Sequence, residues 1–419
     1  MKQTITIGKF TFRIDLGLIV MLSVMGLTSF FALYNAFNLI SDGSGYGYMM
    51  RQIMWYIIGF VAMFFLCSFQ NQAIFKIMHK AYRFLMGCLI YLLISRILIS
   101  ISGGSLHLPF ATSINGAVSW FSLPFASFQP SEFIKIVLIV LISKTISSHQ
   151  EQHPDPTWRD DWNLLIKIGK ILIPPLVLIF LQPDTGVVII ILVNTLILLM
   201  CSGIRKQYIY ILGGLILFVV GLFVYLYFFQ RDFLEIFISN YRLSRIDAWL
   251  DPESNIQGSS NQLYTALLSL GSAGLTGYGL QADIIAIPEA HTDFIFAAIG
   301  QCFGLLGTTF VLMICLLFDY VLFKIAYNTT NRTDRFIVIG VIAMLVYQQL
   351  QNLGMIVGLV PITGITLPMI SYGGSSILSY FISFAIVMNL SPVSKKVIIL
   401  KKRGPKKLKK RSRRISNIR

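Results

Sequence analysis

QYIYILGGLILFVVGLFVYLYFF, residues 207–229, is a run of 23 residues without a charged side chain. A helix of this length can cross a bilayer, whose hydrocarbon core takes about 20 apolar residues. Similar runs recur along the chain, and 55% of its 419 residues are hydrophobic whereas 12% are charged. The mean hydropathy is +0.73. The sequence therefore predicts an all-α integral membrane protein and excludes a soluble globular one.

The apolar runs predict about ten transmembrane helices. The first run is too long for the core of a cleavable signal, so we expect it to remain as a helix. The eighth and ninth are long enough to tilt, and the fourth and fifth contain charges. The predicted spans are 16–39, 53–69, 82–102, 129–147, 164–181, 185–202, 207–229, 293–325, 334–360 and 375–391.

Positive charge sets the predicted orientation. Residues 394–419 hold 13 Lys or Arg and no Asp or Glu, so only 16 − 13 = +3 of the net charge of +16 belongs to the membrane domain, residues 1–393. Because loops rich in Lys and Arg stay in the cytoplasm, we expect both termini to be cytoplasmic. We expect the basic tail to bind anionic lipid headgroups rather than nucleic acid.

A polar stretch separates the seventh and eighth spans. Residues 231–292 contain three Arg and seven Asp or Glu, which predicts a large extracytoplasmic loop. Connections of this length are usually functional or disordered. The loop ends in IPEAHTD, residues 287–293, and apolar sequence resumes at Phe294. Asp293 therefore either caps the eighth helix or presents a reactive carboxylate at the membrane surface.

A charged pair lies in the fourth span, in QPSEFIK, residues 129–135. Glu132 and Lys135 are three residues apart and can face each other on a helix. They are either a self-neutralising pair at a helix start or a sign that Lys135 faces a cavity, since ionisable residues at membrane depth rarely face lipid.

Two further stretches interrupt the apolar runs on the same predicted side as the loop. QPDTG, residues 182–186, is a tight turn in which Asp184 could cap the next helix. Residues 361–376 are rich in Gly and Pro and end in SYGGSS. Irregular backbone of this kind is tolerated near lipid only where protein or water covers it.

Together and in this order, the polar stretches resemble the SEDS family of bacterial cell-wall synthases, with a lean toward its RodA members. The matching pieces are QPSEFIK, QPDTG, LDPES, PEAHTDFIFA, QNLGMIVGLVPITGITLP and SYGGSS. The resemblance implies a peptidoglycan glycosyltransferase in the bacterial plasma membrane that polymerises lipid II into glycan strands for cell-wall elongation or division. It also implies a class B penicillin-binding protein as partner.

The resemblance implies a catalytic role for Asp293, which matches the essential acid of the family's HTDF motif. The 4-hydroxyl of an acceptor sugar is a poor nucleophile, so a positioned carboxylate base would assist its attack. The leaving pyrophosphate needs positive charge, from protein cations or from a divalent cation such as Mg²⁺ or Mn²⁺. The expected substrate-binding residues are Glu132, Lys135, Asp184, Arg242, Arg245, His291, Ser371 and Tyr372.

The chain departs from the family pattern at two places. Gln301 and Cys302 stand where the family usually has two acidic residues, and Val118 and Ser119 stand where it usually has an arginine. Two other functions fit the same sequence. One is a transporter that flips the lipid-linked precursor, and the other is a non-catalytic scaffold for a penicillin-binding protein.

Overall fold

The computed structural model describes residues 2–7, 10–40, 45–68, 71–103, 106–111, 117–123, 126–238, 240–390 and 397–398. The predicted basic tail, residues 394–419, lies outside the described residues except for 397 and 398.

The described residues form an all-α membrane bundle with two small sheets. The helices are α1 Leu16–Asn35, α2 Gly45–Leu66, α3 Asn71–Ile101, α4 Pro130–Gln152, α5 Trp158–Leu181, α6 Thr185–Cys201, α7 Lys206–Phe229, α8 Arg231–Phe237, α9 Asn240–Leu250, α10 Asn261–Ser272, α11 Ile295–Asn328, α12 Arg332–Ile356 and α13 Gly374–Leu390, with a 3-10 turn at Phe37–Leu39. The strands are β1 Lys2–Ile7, β2 Phe10–Asp15, β3 Phe121–Leu123, β4 Ala126–Phe128 and β5 Val397–Ile398. β1 pairs antiparallel with β2 and parallel with β5, and β3 pairs antiparallel with β4.

Each predicted span overlaps a helix, although residues 357–360 lie beyond the end of α12 and residues 69 and 391 lie outside the described residues. Helices α8, α9 and α10 lie in the predicted extracytoplasmic loop. Among the described residues, seven helices are long and apolar enough to cross a membrane, and α6 and α13 are apolar but shorter. The chain is therefore a multi-pass membrane protein.

Helix α4, one of the two predicted spans with internal charges, lies at the centre of the bundle. It packs against α3, α5, α6, α12 and α13, and its residues 134–142 are all buried. A helix enclosed on all sides is covered by protein rather than lipid. This position explains how a helix that carries Glu132 and Lys135 can lie within the membrane domain.

Helix α11 is interrupted near its start, which a continuous span at 293–325 did not predict. Gly304 has φ +58 and ψ −149, a backbone conformation open almost only to glycine. The loop after α10 fills the break: Leu305 N donates to Gly274 O at 3.0 Å, and Tyr278 N donates to Gln301 O at 2.9 Å. The loop thus satisfies backbone groups that a broken membrane helix would leave unpaired.

Candidate active site

Asp293 lies in a tight turn that ends the loop before α11. The N–H groups of Thr292 and Phe294 both donate to Glu289 O, at 3.1 and 3.2 Å, and Glu289 has φ +54. α11 begins at Ile295, with Phe294 as its N-cap and without a side-chain capping bond. The interpretation of Asp293 as the helix cap is therefore wrong, because Phe294 occupies the cap position.

The backbone of this turn is held from inside the bundle by α12. Asn352 is fully buried, and its Nδ2 donates to Asp293 O and to Ile365 O, both at 2.8 Å. One side chain therefore ties the Asp293 turn to the irregular segment that follows α12. Asn352 stands in the QNLGM piece of the family resemblance but was not among the predicted site residues, although an amide inside a predicted apolar span was a signal for it.

Asp293 and Arg245 meet at Gly364. A Cβ added to Gly364 would lie 3.4 Å from Asp293 Oδ2 and 3.7 Å from Arg245 Nη1. Gly364 has φ +74, and Arg245 Nη1 donates to Ile362 O at 3.5 Å. The absence of a side chain at Gly364 thus lets the carboxylate and the guanidinium approach the same stretch of backbone.

The surroundings of Asp293 favour its protonated form. Desolvation, followed by the nearby charge of Glu289, raises the pKa of Asp293 to about 6, while Arg245 acts in the opposite direction. A carboxyl group with this pKa is a stronger base than an ordinary aspartate and is still mostly ionised at neutral pH.

His291 and Tyr372 lie together in an aromatic cluster with Tyr48 of α2. The ring centroids of Tyr48 and His291 are 4.3 Å apart, and those of Tyr48 and Tyr372 are 4.8 Å apart. Tyr372 N donates to His291 O at 2.9 Å. Arg51 lies over the Tyr48 ring, with Cζ 5.3 Å from the centroid, so the cluster adds an exposed cation to the region of Asp293.

Sequence reasoning missed Tyr48 and Arg51. Both lie in the first turns of α2, just before the predicted span at 53–69. Arg51 was detectable in principle as a lone cation at the edge of an apolar run, but nothing local to it showed that α2 would pack beside residues 291 and 372.

Ser371 supports the backbone of the SYGGSS turn. It is 3% exposed, and its Oγ accepts a hydrogen bond from Leu367 N at 2.9 Å. Its carbonyl accepts from Gln52 Nε2, also at 2.9 Å. These contacts assign Ser371 a part in shaping the turn that presents Tyr372.

Glu132 and Lys135 form the expected ion pair. Lys135 Nζ lies 2.9 Å from Glu132 Oε1, and the Lys135 side chain is 2% exposed. Lys135 also lies 5.9 Å from the Tyr380 ring centroid, and it lines a small internal cavity with Asn194. The self-neutralising pair is therefore present, and Lys135 is buried among protein side chains.

Asp184 connects the QPDTG turn to the QPSEFIK helix start. Its Oδ2 accepts from Ser131 Oγ at 2.8 Å and from Gln129 Nε2 at 2.9 Å, and its Oδ1 accepts from Val187 N at 3.5 Å. Asp184 is thus the N-cap of α6 and also an anchor for α4. Desolvation is the main cause that raises its pKa.

Arg242 lies apart from Arg245, beside the end of α5. Its Cζ is 5.2 Å from the Phe180 ring centroid, and its Nη2 donates to Phe180 O at 3.5 Å. Desolvation first, and then the charge of Arg96, lower the pKa of Arg242. Two cations therefore share this region, while Arg245 is the one beside Asp293.

Gln301, one of the departures from the family pattern, holds the loop that inserts into α11. It is fully buried, its Oε1 accepts from Ile285 N at 2.9 Å, and its Nε2 donates to Ala282 O at 3.2 Å. The neighbouring Cys302 lies with Sγ 3.8 Å from Asn35 O. At the other departure, Ser119 Oγ donates to Gln182 O at 2.9 Å.

Few acidic side chains around the site could act as ligands for a metal ion. Within the part of the chain that the structure describes, no group of three or more His, Cys, Asp or Glu is placed to hold a metal ion. Glu289 is close enough to raise the pKa of Asp293.

Comparisons with known proteins agree with the fold. The family model described as "Cell cycle protein", FtsW/RodA/SpoVE, matches residues 13–396. Stage V sporulation protein E of Bacillus subtilis (strain 168) is 31% identical over 67% of this chain and 73% of its own length. A probable peptidoglycan glycosyltransferase FtsW of Hydrogenovibrio crunogenus is 27% identical over 92% of each chain.

Solved structures show the same architecture. A chain from a structure described as a peptidoglycan synthase complex that coordinates polymerization and crosslinking superposes with a TM-score of 0.69 at 23% identity, over 91% of this chain and 98% of that one. Because the family model covers most of the sequence, the chain belongs to the FtsW/RodA/SpoVE (SEDS) family.

Proposed function

We propose that this chain is a peptidoglycan glycosyltransferase that polymerises lipid II into glycan strands. The observation that carries the proposal is the Asp293 turn, where a carboxyl group with a pKa of about 6 lies at the start of a membrane helix beside Arg245 and Gly364. Relatives named as peptidoglycan glycosyltransferases match across most of the chain, and their name supports the same activity here.

In this proposal Asp293 is the general base. Its carboxylate takes the proton from the 4-hydroxyl of the acceptor sugar while the oxygen attacks the anomeric carbon of the donor. The bond from that carbon to the pyrophosphate oxygen breaks, and the polyprenyl pyrophosphate leaves. A direct displacement without a covalent intermediate inverts the anomeric centre.

The cations near the site are proposed to bind the pyrophosphate. Arg245 lies beside Asp293, whereas Arg242 and Arg96 approach each other at the end of α5. An anion between like charges relieves their repulsion, which supports a phosphate position near Arg242. A divalent cation, Mg²⁺ or Mn²⁺, would supply further positive charge, with Glu289 and the pyrophosphate oxygens as its proposed ligands, so that Asp293 stays free to accept the proton.

The acceptor and donor sugars are proposed to contact the aromatic cluster of Tyr48, His291 and Tyr372. Glu132, Lys135, Asp184 and Ser371 have their polar atoms engaged within the protein, and their proposed role is to shape the substrate cavity. We propose further that the loop 231–292 is extracytoplasmic, that both termini are cytoplasmic, and that the basic tail contacts anionic lipids. The proposed partner is a class B penicillin-binding protein.

The decisive experiment uses purified protein in detergent with lipid II, alone and with its penicillin-binding partner. Glycan strands should form, and Asp293→Asn should abolish them while leaving the protein monodisperse. Asp283→Asn is a matched control, since Asp283 is an exposed acid in the same loop. In detergent there is no membrane across which a substrate could be moved, so a protein that is only a transporter would form no glycan strands.

Two further arms separate the remaining alternatives. If a chelator stops polymerisation and added Mg²⁺ or Mn²⁺ restores it, the proposal of a bound divalent cation is supported. If Asp293→Asn supports normal growth in cells that depend on this chain, the protein acts as a scaffold and the catalytic proposal is wrong.

A further inference from the structure

Helix α10 and the segment that follows it form a hairpin that runs along α11 and back. On the way down, Ser269 Oγ donates to Ala297 O at 3.5 Å, and a Cβ on Gly300 would lie 2.3 Å from Leu270. α10 therefore runs beside the first turns of α11 and in the same direction as that helix.

The direction reverses at residues 274–276. Leu305 N and Leu306 N donate to the carbonyls of Gly274 and Leu275, at 3.0 and 3.1 Å. The chain then returns, since Gly279 N donates to Cys302 O at 3.0 Å and Gln301 Oε1 accepts from the later Ile285 N. The hairpin comprises residues 261–285, and its tip lies level with Leu305 and Leu306.

Helix α1 gives the depth of this tip. Its 20 residues span about 30 Å, which matches the thickness of a bilayer's hydrocarbon core. Its last residue, Asn35, contacts Cys302, and Phe31 stacks on Phe303 with centroids 5.3 Å apart. Leu305 and Leu306 follow these residues toward the membrane centre, so the hairpin tip lies below the end of α1.

The side chains at this depth are apolar and uncovered by protein. Leu275 is 67% exposed and Leu280 is 66% exposed. On α11, residues 295–302 are buried, and the exposed face of the helix begins with Leu305 and Leu306, at 58% and 64%. No charged residue occurs between Ser254 and Ala282. A water-facing loop would not combine this exposure with this composition.

We propose that the hairpin 261–285 is a re-entrant segment whose tip lies in the hydrocarbon edge of the membrane leaflet on the Asp293 side, where lipid acyl chains cover Leu275. In this proposal, residues 261–285 of the predicted extracytoplasmic loop 231–292 enter the membrane surface. The return arm leads directly into the Asp293 turn, so the hairpin fixes that carboxylate at the depth where lipid hydrocarbon gives way to headgroups. The carbonyls of Gly274 and Leu275 at the tip are paired with α11, and pairing of this kind is what burial in lipid requires of backbone groups.

The test compares two cysteines placed in the same loop of the full chain in proteoliposomes. A membrane-impermeant maleimide should label Glu253→Cys, because Glu253 is an exposed charged residue, and should label Leu275→Cys at least tenfold more slowly. Peptide mapping separates both from the five native cysteines. Equal labelling after denaturation in SDS shows that both thiols are competent.

A second reagent separates lipid from protein as the cover. A phospholipid with a photoactivatable acyl chain should crosslink to the peptide that contains residue 275 and leave the peptide with residue 253 unlabelled. Rapid maleimide labelling of Leu275→Cys, or no acyl-chain crosslink at residue 275, would overturn the proposal. Adding the penicillin-binding partner should leave both results unchanged, and loss of the crosslink on its addition would assign this surface to the partner instead.

Discussion

The side-chain amide of Asn352 donates a 2.8 Å hydrogen bond to the backbone carbonyl of Asp293. The same nitrogen donates to Ile365 O, so the carboxylate-bearing turn and the segment that carries Gly364 are positioned by one buried group. The position of Asp293 in the bundle therefore depends on α12 as well as on the loop that carries it.

Replacement of Asn352 by Leu should lower both stability and activity. The change leaves two buried carbonyls unpaired, and each unpaired group lowers the free energy of unfolding by about 1–3 kcal/mol. It also releases the Asp293 turn from α12. We expect a lower thermal midpoint in detergent and at least a tenfold slower polymerisation of lipid II by the folded fraction. Asn328→Leu is the control, because Asn328 is exposed and bonds only within its own helix. Full activity of the Asn352 variant would show that the bond does not position Asp293.

The local sequence correctly predicted features that depend on the spacing of residues along a helix. It did not predict contacts between segments that are far apart in the chain. The ion pair of Glu132 and Lys135 follows from their i, i+3 spacing and is present. The break at Gly304 was not predicted, because an apolar run with glycines looks the same whether or not a loop inserts into it. Arg242 and Arg245 are indistinguishable as nearby cations in the sequence, yet packing places only Arg245 against Gly364 with Asp293. Asn352, Tyr48 and Arg51 were missed because their importance depends on partners far along the chain.

The pH dependence of polymerisation should report Asp293. A general base must be ionised, and the pKa of Asp293 is raised to about 6. We therefore expect kcat/KM to be low below pH 6, to rise through that region and to level off above it. The measurement is initial rate against pH with lipid II below its KM.

Arg245→Gln should shift the rising, acidic part of this pH profile (its acid limb) to higher pH. Arg245 lowers the pKa of Asp293, so its removal raises that pKa and moves the limb to higher pH. Arg242→Gln is the matched control, since Arg242 is beside Phe180 and Arg96 rather than Asp293. It should weaken the reaction without moving the limb. An unchanged limb in the Arg245 variant would mean that another group controls the profile.

Gln301→Met should loosen the loop that leads to Asp293. The substitution keeps the volume but removes both hydrogen bonds, to Ile285 N and Ala282 O, and leaves buried backbone groups unpaired, at about 1–3 kcal/mol. We expect a lower thermal midpoint and a several-fold lower kcat. The thermal midpoint and kcat of Gln301→Glu should lie between those of the unchanged protein and of Gln301→Met. A carboxyl group at this position can still accept the hydrogen bond from Ile285 N, but it can donate to Ala282 O only when it is protonated. Gln257→Met, an exposed change in the same loop, should have no effect, and an equal effect there would argue against a specific role for Gln301.

Gly364→Ala places a methyl group where Asp293 and Arg245 meet. The added Cβ would lie 3.4 Å from Asp293 Oδ2 and 3.7 Å from Arg245 Nη1, so it makes ordinary van der Waals contacts without a clash. The positive φ of +74 adds about 1 kcal/mol of backbone strain. We expect a modest loss of thermal stability and a larger loss of kcat, because the methyl group occupies space beside the carboxylate that the acceptor hydroxyl needs for proton transfer. Gly358→Ala is the matched control, since Gly358 also has a positive φ, +77, but its added Cβ would meet only Leu267. If the two variants lose stability and activity in the same proportion, glycine is needed at position 364 only for its backbone conformation. A selective loss of kcat in Gly364→Ala would show that the space beside Asp293 is needed for the reaction.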